Sequence, residues 1–468
     1  MSLNAALNAG RTSLQTSQKA IEVTGLNISN VNTPGYSRQT PTLSPYPALL
    51  MGEFFVGQGV MVTGIERSHD VFLAGQIQDK SAKVGYEGVM ESPLEGIERA
   101  VSLGDGSIAD EFDSFFNSLR ELSSNPSGEV ERRLVIQQAG LVAAAFHDSV
   151  NELDLVQGNI NTTMTSMIDG VNLRTAEIAE LNNRITAVEA SGQEAAADRD
   201  RRDMLSKELA KSIGAIGYET SNGSLSVHLP NGMPLVEASI ATPLQGQTVA
   251  GNLQLSLTFG ETKIDLNKDS VGGEFGGLFQ VRDVLIPEVR DRLDQLAYSF
   301  TEEVNAQHSL GRDLDGNLAG NFFEPYGPID PLIGKPIDAA ASMNVIISDT
   351  TKLGVGGAAG TGAPGDNENL LTMLGLEQGQ TVGTTDTFVS YYGKITAIVG
   401  VEAARNRQAV DGLEDALVQL ENLRDGADGV SLEEEMINLL KYQNAFDASA
   451  KFLGTIDEMM DTLLSLKR

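Results

Sequence analysis

Leu7, Leu14, Ile21 and Ile28 recur every seven residues, with Leu3 four residues before Leu7. That is a single narrow stripe, the seam pattern of a coiled coil. The faces beside it carry Ala, Ser, Thr, Asn and Gln, too little packing power to hold a helix alone. The spacing predicts a helix over residues 1–32 that folds only against a partner. A matching stripe closes the chain, where Met436, Leu439, Phe446, Ala450, Leu453 and Met460 keep 3- and 4-residue steps. Ser431 and Glu434 form an S-x-x-E capping box at its start. Gly426 and Gly429 are expected to separate this helix from an earlier one bearing Val410, Leu413, Leu417 and Leu420.

The longest periodic run lies between the two ends: Leu153, Val156, Ile160, Met164, Met167, Val171, Ile178, Leu181, Ile185 and Val188, with only position 174/175 polar. It predicts a long rod-like helix. "ASGQEAA" (190–196) breaks it, and Met204, Leu205, Leu209 and Ile213 resume it. From Tyr218 the period changes to two, with "SNGS" and "PNG" as hairpin turns beside Leu225, Val227 and Leu229. Helix returns with Leu293, Leu296, Phe300 and Val304 on one face, followed by a Gly- and Asp-rich loop and a helix from about Phe388. The fold class expected is α+β: an elongated multidomain protein with coiled-coil-like helices from both termini, a helical central domain and a smaller inserted β-rich domain. The expected partition is 1–32, an assembly helix; 33–217, a turn/strand segment and the first part of the core; 218–282, the β-rich domain; 283–428, the rest of the core with Gly-rich loops at 311–367; and 429–468, the second assembly helix.

Charge changes the picture. The net charge is −31, which argues against nucleic acid, because phosphate neutralisation needs clustered Lys and Arg. Yet residues 1–52 hold one acid against three bases, whereas 411–468 hold thirteen acids against five, and opposed ends can meet. There is no cysteine, so no disulfide, thiolate nucleophile or Cys-ligated metal is available. No apolar run is long enough to span a bilayer, and the N-terminus lacks the features of a cleaved secretory signal. Those features alone predict a cytoplasmic chain, with export through an uncleaved N-terminus as the alternative.

Candidate chemistry is thin. "GTGAPG" (360–365) fits G-x-G-x-x-G but lacks the flanking strand and helix that aim amides at a pyrophosphate. Asp313, Asp315 and Asn317 offer alternate oxygen ligands without the Gly and Glu of a calcium loop, so a plain turn is expected, with weak Ca²⁺ binding at Asp313 and Asp315 as the alternative. "DRDRRD" (198–203) and Glu433–Glu435 read as charge runs on helix surfaces and at a helix start. The four histidines are scattered. No catalytic, cofactor or metal site is expected. In Thr33-Pro34-Gly35-Tyr36, Pro sets φ at i+1 and Gly supplies positive φ at i+2, a type II turn. Asn27, Asn30 and Asn32 precede it, with groups able to cap the helix or bond a neighbour.

"LNISNVNTPGYSRQ" (26–39) resembles the N-terminal signature of the flagellar axial proteins, the rod, hook and hook-associated proteins. Its "GYSRQ" ending is most similar to the hook-associated branch. "VGQGVMVTGIERSHDVFLAGQI" (56–77), "DRRDMLSKEL" (200–209), the stretches 276–308 and 311–323, and "GVSLEEEMINLLKYQNAFDASAKFLGTIDEMMDTLL" (429–464) agree in order and spacing. One departure is a shortened variable region at 324–342. The resemblance implies an extracellular, non-enzymatic structural subunit at the junction between hook and filament, cytoplasmic before it leaves unfolded through the flagellar type III apparatus. It implies a homo-oligomer with hook protein and a second junction protein as neighbours, built through paired terminal helices. The assembly residues would be Leu7, Leu14, Ile21 and Ile28 on the first helix; Asn30, Asn32, Pro34, Gly35, Tyr36 and Arg38 at the turn; and Met436, Leu439, Phe446, Leu453 and Met460 on the last. An export chaperone would take Leu439, Phe446, Leu453 and Met460. The alternatives are another axial protein or, outside the family, a cytoplasmic coiled-coil scaffold.

Overall fold

The computed structural model describes residues 3–51, 54–326, 337–358, 364–383 and 385–465. In chain order the elements are α1 (Leu3–Ser29), β1 (Gln39–Pro45), β2 (Leu49–Met51), β3 (Phe54–Val56), β4 (Val60–Arg67), α2 (Val71–Ala100), α3 (Ile108–Ser124), α4 (Glu129–Glu189) and α5 (Ala196–Ile213). Seven short strands follow: β5 (Ile216–Glu219), β6 (Leu225–His228), β7 (Pro234–Glu237), β8 (Ile240–Ala241), β9 (Leu244–Val249), β10 (Asn252–Phe259) and β11 (Thr262–Leu266). The rest is helical: α6 (Gly273–Gln280), α7 (Ile286–Leu310), α8 (Ala339–Ser342), α9 (Glu368–Leu374), α10 (Phe388–Asp428) and α11 (Leu432–Ser465). The fold class is α+β, as the periodicities predict. These elements form two compact units, one of residues 1–86, 166–276 and 411–468, the other of 87–165 and 277–410.

In the first unit all sheets are antiparallel and small: β1–β4, β2–β3, the four-stranded β5-β6-β7-β8 and the three-stranded β11-β10-β9. Gly223 and Gly232 take φ of +85 and +86° in the two predicted hairpin turns. Two asparagines of α4 fasten the larger sheets. Asn172 exchanges bonds with Leu244 (2.9 and 2.7 Å), and Asn182 with Leu225 (2.9 Å each way). Each amide presents a donor and an acceptor side by side, which matches the N–H and C=O that one strand residue turns to the same side. The β-rich segment runs from Ile216 to Leu266, and helix resumes at Gly273, before the expected boundary at 282.

The second unit is organised by aromatics. Phe112, Phe115, Phe116, Phe146, Phe300, Phe322, Phe323 and Phe388 are fully buried. Phe300 lies 4.7 Å from Phe112 and 5.1 Å from Phe388, ring centre to ring centre. The α7 face carrying Leu293, Leu296, Phe300 and Val304 is entirely buried, as its spacing predicts. Pro287 lacks the N–H that a regular turn would use, and the preceding Val281–Leu285 widens into a π-helical turn. Around Asp313 the plain turn is what forms. The carboxylate accepts from the N–H groups of Asp315 (3.0 Å) and Asn317 (2.8 Å), and the Lys352 ammonium sits against both Asp313 and Asp315. Residues 360–363 of "GTGAPG" and residues 327–336 of the shortened region lie outside the described residues.

Four sequence expectations change. α4 begins at Glu129, because Val135, Ala139, Val142, Phe146 and Val150 extend the 3/4 stripe upstream of Leu153. α10 runs through Gly426, and the chain breaks only at Gly429–Val430. The capping box is half made: Ser431 Oγ accepts from Glu434 N (3.4 Å), but the Glu434 carboxylate goes to Arg38. The run 198–203 is no solvated face, since Asp200 and Arg202 are buried. Arg202 donates to Asn182 Oδ1 (3.1 Å) and Gly223 O (2.7 Å), so it holds the α5 start to the β5–β6 hairpin.

In the second unit, α7 carries two groups with opposed responses to acid. His308 is buried, with Nδ1 against Gly320 O (2.7 Å) and Nε2 accepting from Gly354 N (2.9 Å). Burial pulls its pKa down to about 4, although the bond to Gly320 opposes the shift. The unfolded chain therefore takes up this proton first, and stability is lost as pH falls from about 6.5 to 4. Burial pushes Asp294 up to about 6, so its contribution runs the other way: stability is lost as pH rises through that value. Replacing His308 by Gln is expected to flatten the loss of stability on acidification, and Asp294→Asn to steepen it. Urea midpoints at pH 7 and pH 5 test this, and three identical pH profiles would refute it.

Candidate functional site

The first unit brings the two ends of the chain together. α1 and α11 run antiparallel, and three contacts mark their pairing. Asn27 Nδ2 donates to Glu435 Oε2 (3.1 Å), the hydroxyls of Ser13 and Ser449 meet at 2.8 Å, and Leu453 covers Gly10. A Cβ on Gly10 would meet Leu453 Cδ2 at 2.8 Å, so a side chain at this position would have to displace the leucine. The buried face of α1 is Gly10, Thr12, Thr16, Ser17, Ala20, Val23, Thr24 and Asn27. This corrects the sequence expectation. Leu7, Leu14, Ile21 and Ile28 are only half-buried and flank that face. The reason is geometric: a seven-residue repeat drifts around a straight helix, and small residues let neighbouring backbone approach. Thr12 and Thr16 donate to the carbonyls of Gln58 (3.3 Å) and Val60 (3.1 Å), seating the β-ribbon on the same helix.

At the end of α1 the chain reverses. Asn30 Nδ2 caps the helix at Leu26 O (2.9 Å) and its Oδ1 accepts from Thr33 Oγ1 (3.1 Å). Tyr36 N closes the type II turn on Thr33 O (3.2 Å), with Gly35 at φ +80°. Met204 of α5 lies over Gly35, its sulfur 2.7 Å from where a Cβ would stand. Asn32 and Pro34 are exposed. The turn returns Tyr36, Arg38 and Gln39 to Asn27, which is itself fully buried. Asn27 Oδ1 accepts from Tyr36 OH (2.9 Å) and Gln39 N (3.0 Å), while its Nδ2 donates to Gln39 O (2.8 Å) and to Glu435. Arg38 then reaches α11, with Nε on Glu435 Oε1 and Nη1 on Glu434 Oε2, both 2.8 Å.

A second layer of charge continues this cluster. Asp200 accepts from Ser37 N (3.1 Å) and from the buried Arg67 (2.9 Å), whose other nitrogen lies 2.7 Å from Asp203. Burial pulls the Arg67 pKa down, but Asp203 and Asp200 more than offset it and hold it above its ordinary value. Burial, with Asp200 and Glu435 nearby, pushes the Tyr36 phenol up to about 12, so it stays protonated and donates. Asp428 closes the corner. Its carboxylate accepts from Ser68 Oγ and Asp70 N (3.1 Å each), and its carbonyl from Arg38 N (2.8 Å). Asn27, Arg38, Asp200, Asp428 and Glu435 thus form one polar joint between segments from the beginning, middle and end of the chain. The carboxylates are committed to Arg, amide and backbone donors. Among the described residues no group of three or more His, Asp or Glu is placed to hold a metal.

Of the C-terminal stripe, Leu439, Phe446, Leu453 and Met460 are half-buried, whereas Met436 is exposed. The fully buried α11 residues are Glu435, Ser449 and Ile456. Glu435 was hidden in an acidic run that a helix N-terminus already explains. The only sequence signal for it was the opposed charge of the two ends. On both flanks of its buried face α11 leaves large apolar residues open: Met436, Ile437, Leu440 and Leu463 are each more than half exposed. No helix among the described residues is long and apolar enough to cross a membrane.

Comparison with known proteins gives three family matches in chain order. A flagellar basal body rod protein model matches residues 7–36, the helical-domain model of flagellar hook-associated protein FlgK matches 94–323, and the C-terminal model of basal body rod FlgEFG proteins matches 427–466. Flagellar hook-associated protein 1 of Bacillus subtilis is 28% identical over 98% of this chain and 97% of its own. Its counterpart in Salmonella typhimurium is 23% identical over 99% and 100%. Among solved structures, the flagellar hook junction protein FlgK of Burkholderia pseudomallei shares the fold, with a TM-score of 0.67 at 14% identity over 76% of this chain and 100% of that one.

Glu435→Ala takes the shared acceptor from the buried Asn27 amide and from Arg38 Nε, and is expected to destabilise the first unit by about 3 kcal/mol. Glu435→Gln, which still accepts from Asn27, is expected to cost about 1 kcal/mol. Urea unfolding followed by amide exchange over 27–39 separates the two, and equal costs would argue against a charge-dependent joint. Gly35→Ala is expected to cost about 1–2 kcal/mol from positive φ alone. Because Met204 occupies the Cβ position, a double-mutant cycle with Met204→Ala is expected to show a coupling of about 1 kcal/mol. Additive effects would mean that Met204 yields freely.

Proposed function

We propose that the chain is a member of the family of flagellar hook-associated protein 1 (FlgK), a structural protein of the flagellum that builds the junction between hook and filament through its paired terminal helices. The observation that carries this reading is where the two rod-protein matches fall. They cover α1 with its turn and α11, the elements joined by Asn27, Arg38 and Glu435. Nothing in that joint is arranged for catalysis, and the reading is of a non-enzymatic subunit. Its α11 has apolar residues on both flanks of the α1 contact, and the β2–β3 hairpin exposes Leu50 and Phe55. Surfaces of that kind suit contacts with further subunits. The neighbours are then copies of the chain, with hook protein on one side and a second junction protein on the other. The interface residues are the half-buried Leu7, Leu14, Ile21 and Ile28 together with the open flank of α11.

The protein would act outside the cell after leaving the cytoplasm unfolded through the flagellar type III apparatus. A weakly apolar α1–α11 pair supports this, because it opens at low cost. An export chaperone taking Leu439, Phe446, Leu453 and Met460 would have to engage α11 before α1 does, since those residues lie beside the α1 contact. Deleting residues 1–32 or 430–468 is expected to leave the Phe300-centred unit folded while abolishing filament attachment. Electron microscopy of the cells decides it: hooks without filaments support the reading, and normal filaments refute it.

A further inference from the structure

We propose that Glu435, held by Asn27 and Arg38, selects the register in which α1 and α11 pair. The pairing keeps a constant offset. Fourteen residues separate Asn27 from Ser13 on α1, and fourteen separate Glu435 from Ser449 on α11. Apolar packing sets this offset only weakly. The α1 residues that meet α11 at named contacts are Gly10, Ser13 and Asn27, so α1 offers no large apolar knob there, and Leu453 of α11 over Gly10 is the apolar contact that marks the offset. On α11 only Ser449 and Ile456 are buried besides Glu435. A slide of one turn, about 5.4 Å, would exchange Ser13 for Ala9 or Ser17 opposite Ser449 and set Leu453 against Ala6 or Leu14 in place of Gly10, a misfit that rotation of the leucine side chain can relieve.

The same slide is prohibitive for Glu435. One turn in one direction sets its carboxylate opposite Val23, and in the other opposite Val31, neither of which offers a side-chain donor. It would leave Asn27 Nδ2 and take the carboxylate away from Arg38 Nε. A buried carboxylate without partners is far costlier than a misplaced methyl. Glu435 is the only charged residue of α11 that is fully buried, so it outweighs the rest of the interface in choosing among offsets. A single buried polar residue fixing helix register is the best-attested use of such groups. Register selection of this kind depends on the helix pair alone, whatever the site of assembly.

The natural chain has no cysteine, so engineered pairs in the full-length protein report the register directly. Ser13→Cys with Ser449→Cys reads the observed offset. Ser17→Cys with Ser449→Cys, and Ser13→Cys with Ala445→Cys, read offsets one turn away, beyond the reach of a disulfide in the observed register. After oxidation, mass spectrometry is expected to find only the first crosslink in the otherwise natural chain and in Glu435→Gln. In Asn27→Leu/Glu435→Leu the off-register crosslinks are expected to rise at least tenfold. A double variant that keeps the observed crosslink alone overturns the proposal. So does one that loses all three, because Glu435 would then hold the helices together without choosing between offsets. Asn27→Asp, which sets two carboxylates face to face in the observed register, supplies a second reading. Off-register products are expected to appear there too, and their absence in a folded chain counts against register selection.

Discussion

A carboxylate removed from water must find its full complement of donors, and the geometry of the first unit follows from that demand at Glu435. Asn27 approaches from one side and Arg38 from the other. They are eleven residues apart in sequence, so the chain between them has to double back. The type II turn at Pro34–Gly35 does this, and Tyr36 and Gln39 then saturate the other atoms of the Asn27 amide. Arg67 and Asp200 extend the same logic, since each buried charge recruits its opposite. The joint is therefore specified by hydrogen-bond completeness more than by volume.

The two units divide the stabilising forces differently. The second has nine buried phenylalanines among the described residues and is close-packed around Phe300. In the first, the buried face of α1 is mostly Gly, Ser, Thr and Ala. Large apolar residues are instead left open along the flanks of α11.

Much of this was legible from residue spacing. The 3/4 stripes of α4 and α7, the hairpin turns near 222 and 231, the type II turn and the meeting of oppositely charged ends all formed as periodicity and turn chemistry require. The Leu7–Ile28 stripe misled because leucine draws attention in a helix whose contact face is made of Gly, Ser and Thr. Small residues carry no periodic hydrophobic signal, yet they allow the closest approach. Buried charges such as Arg202, Asp200 and Glu435 were illegible for a different reason. Their partners lie far along the chain, and a charged residue in sequence looks the same whether solvent or a distant amide completes it. The upstream half of α4 was readable, but its alanines dilute the stripe.

The joint also imposes an order in time. Asn27 and Glu435 are 408 residues apart, and the first unit draws on three separate stretches of chain. A polypeptide delivered end-first presents Asn27, Tyr36 and Arg38 long before Glu435 arrives. Fully extended, the intervening chain spans on the order of 1,400 Å. Until its last tenth has been delivered, the leading helix has no carboxylate to meet and no partner face to cover it. The order of these residues along the chain thus sets the order of closure: Asn27 and Arg38 are in place first and wait for Glu435.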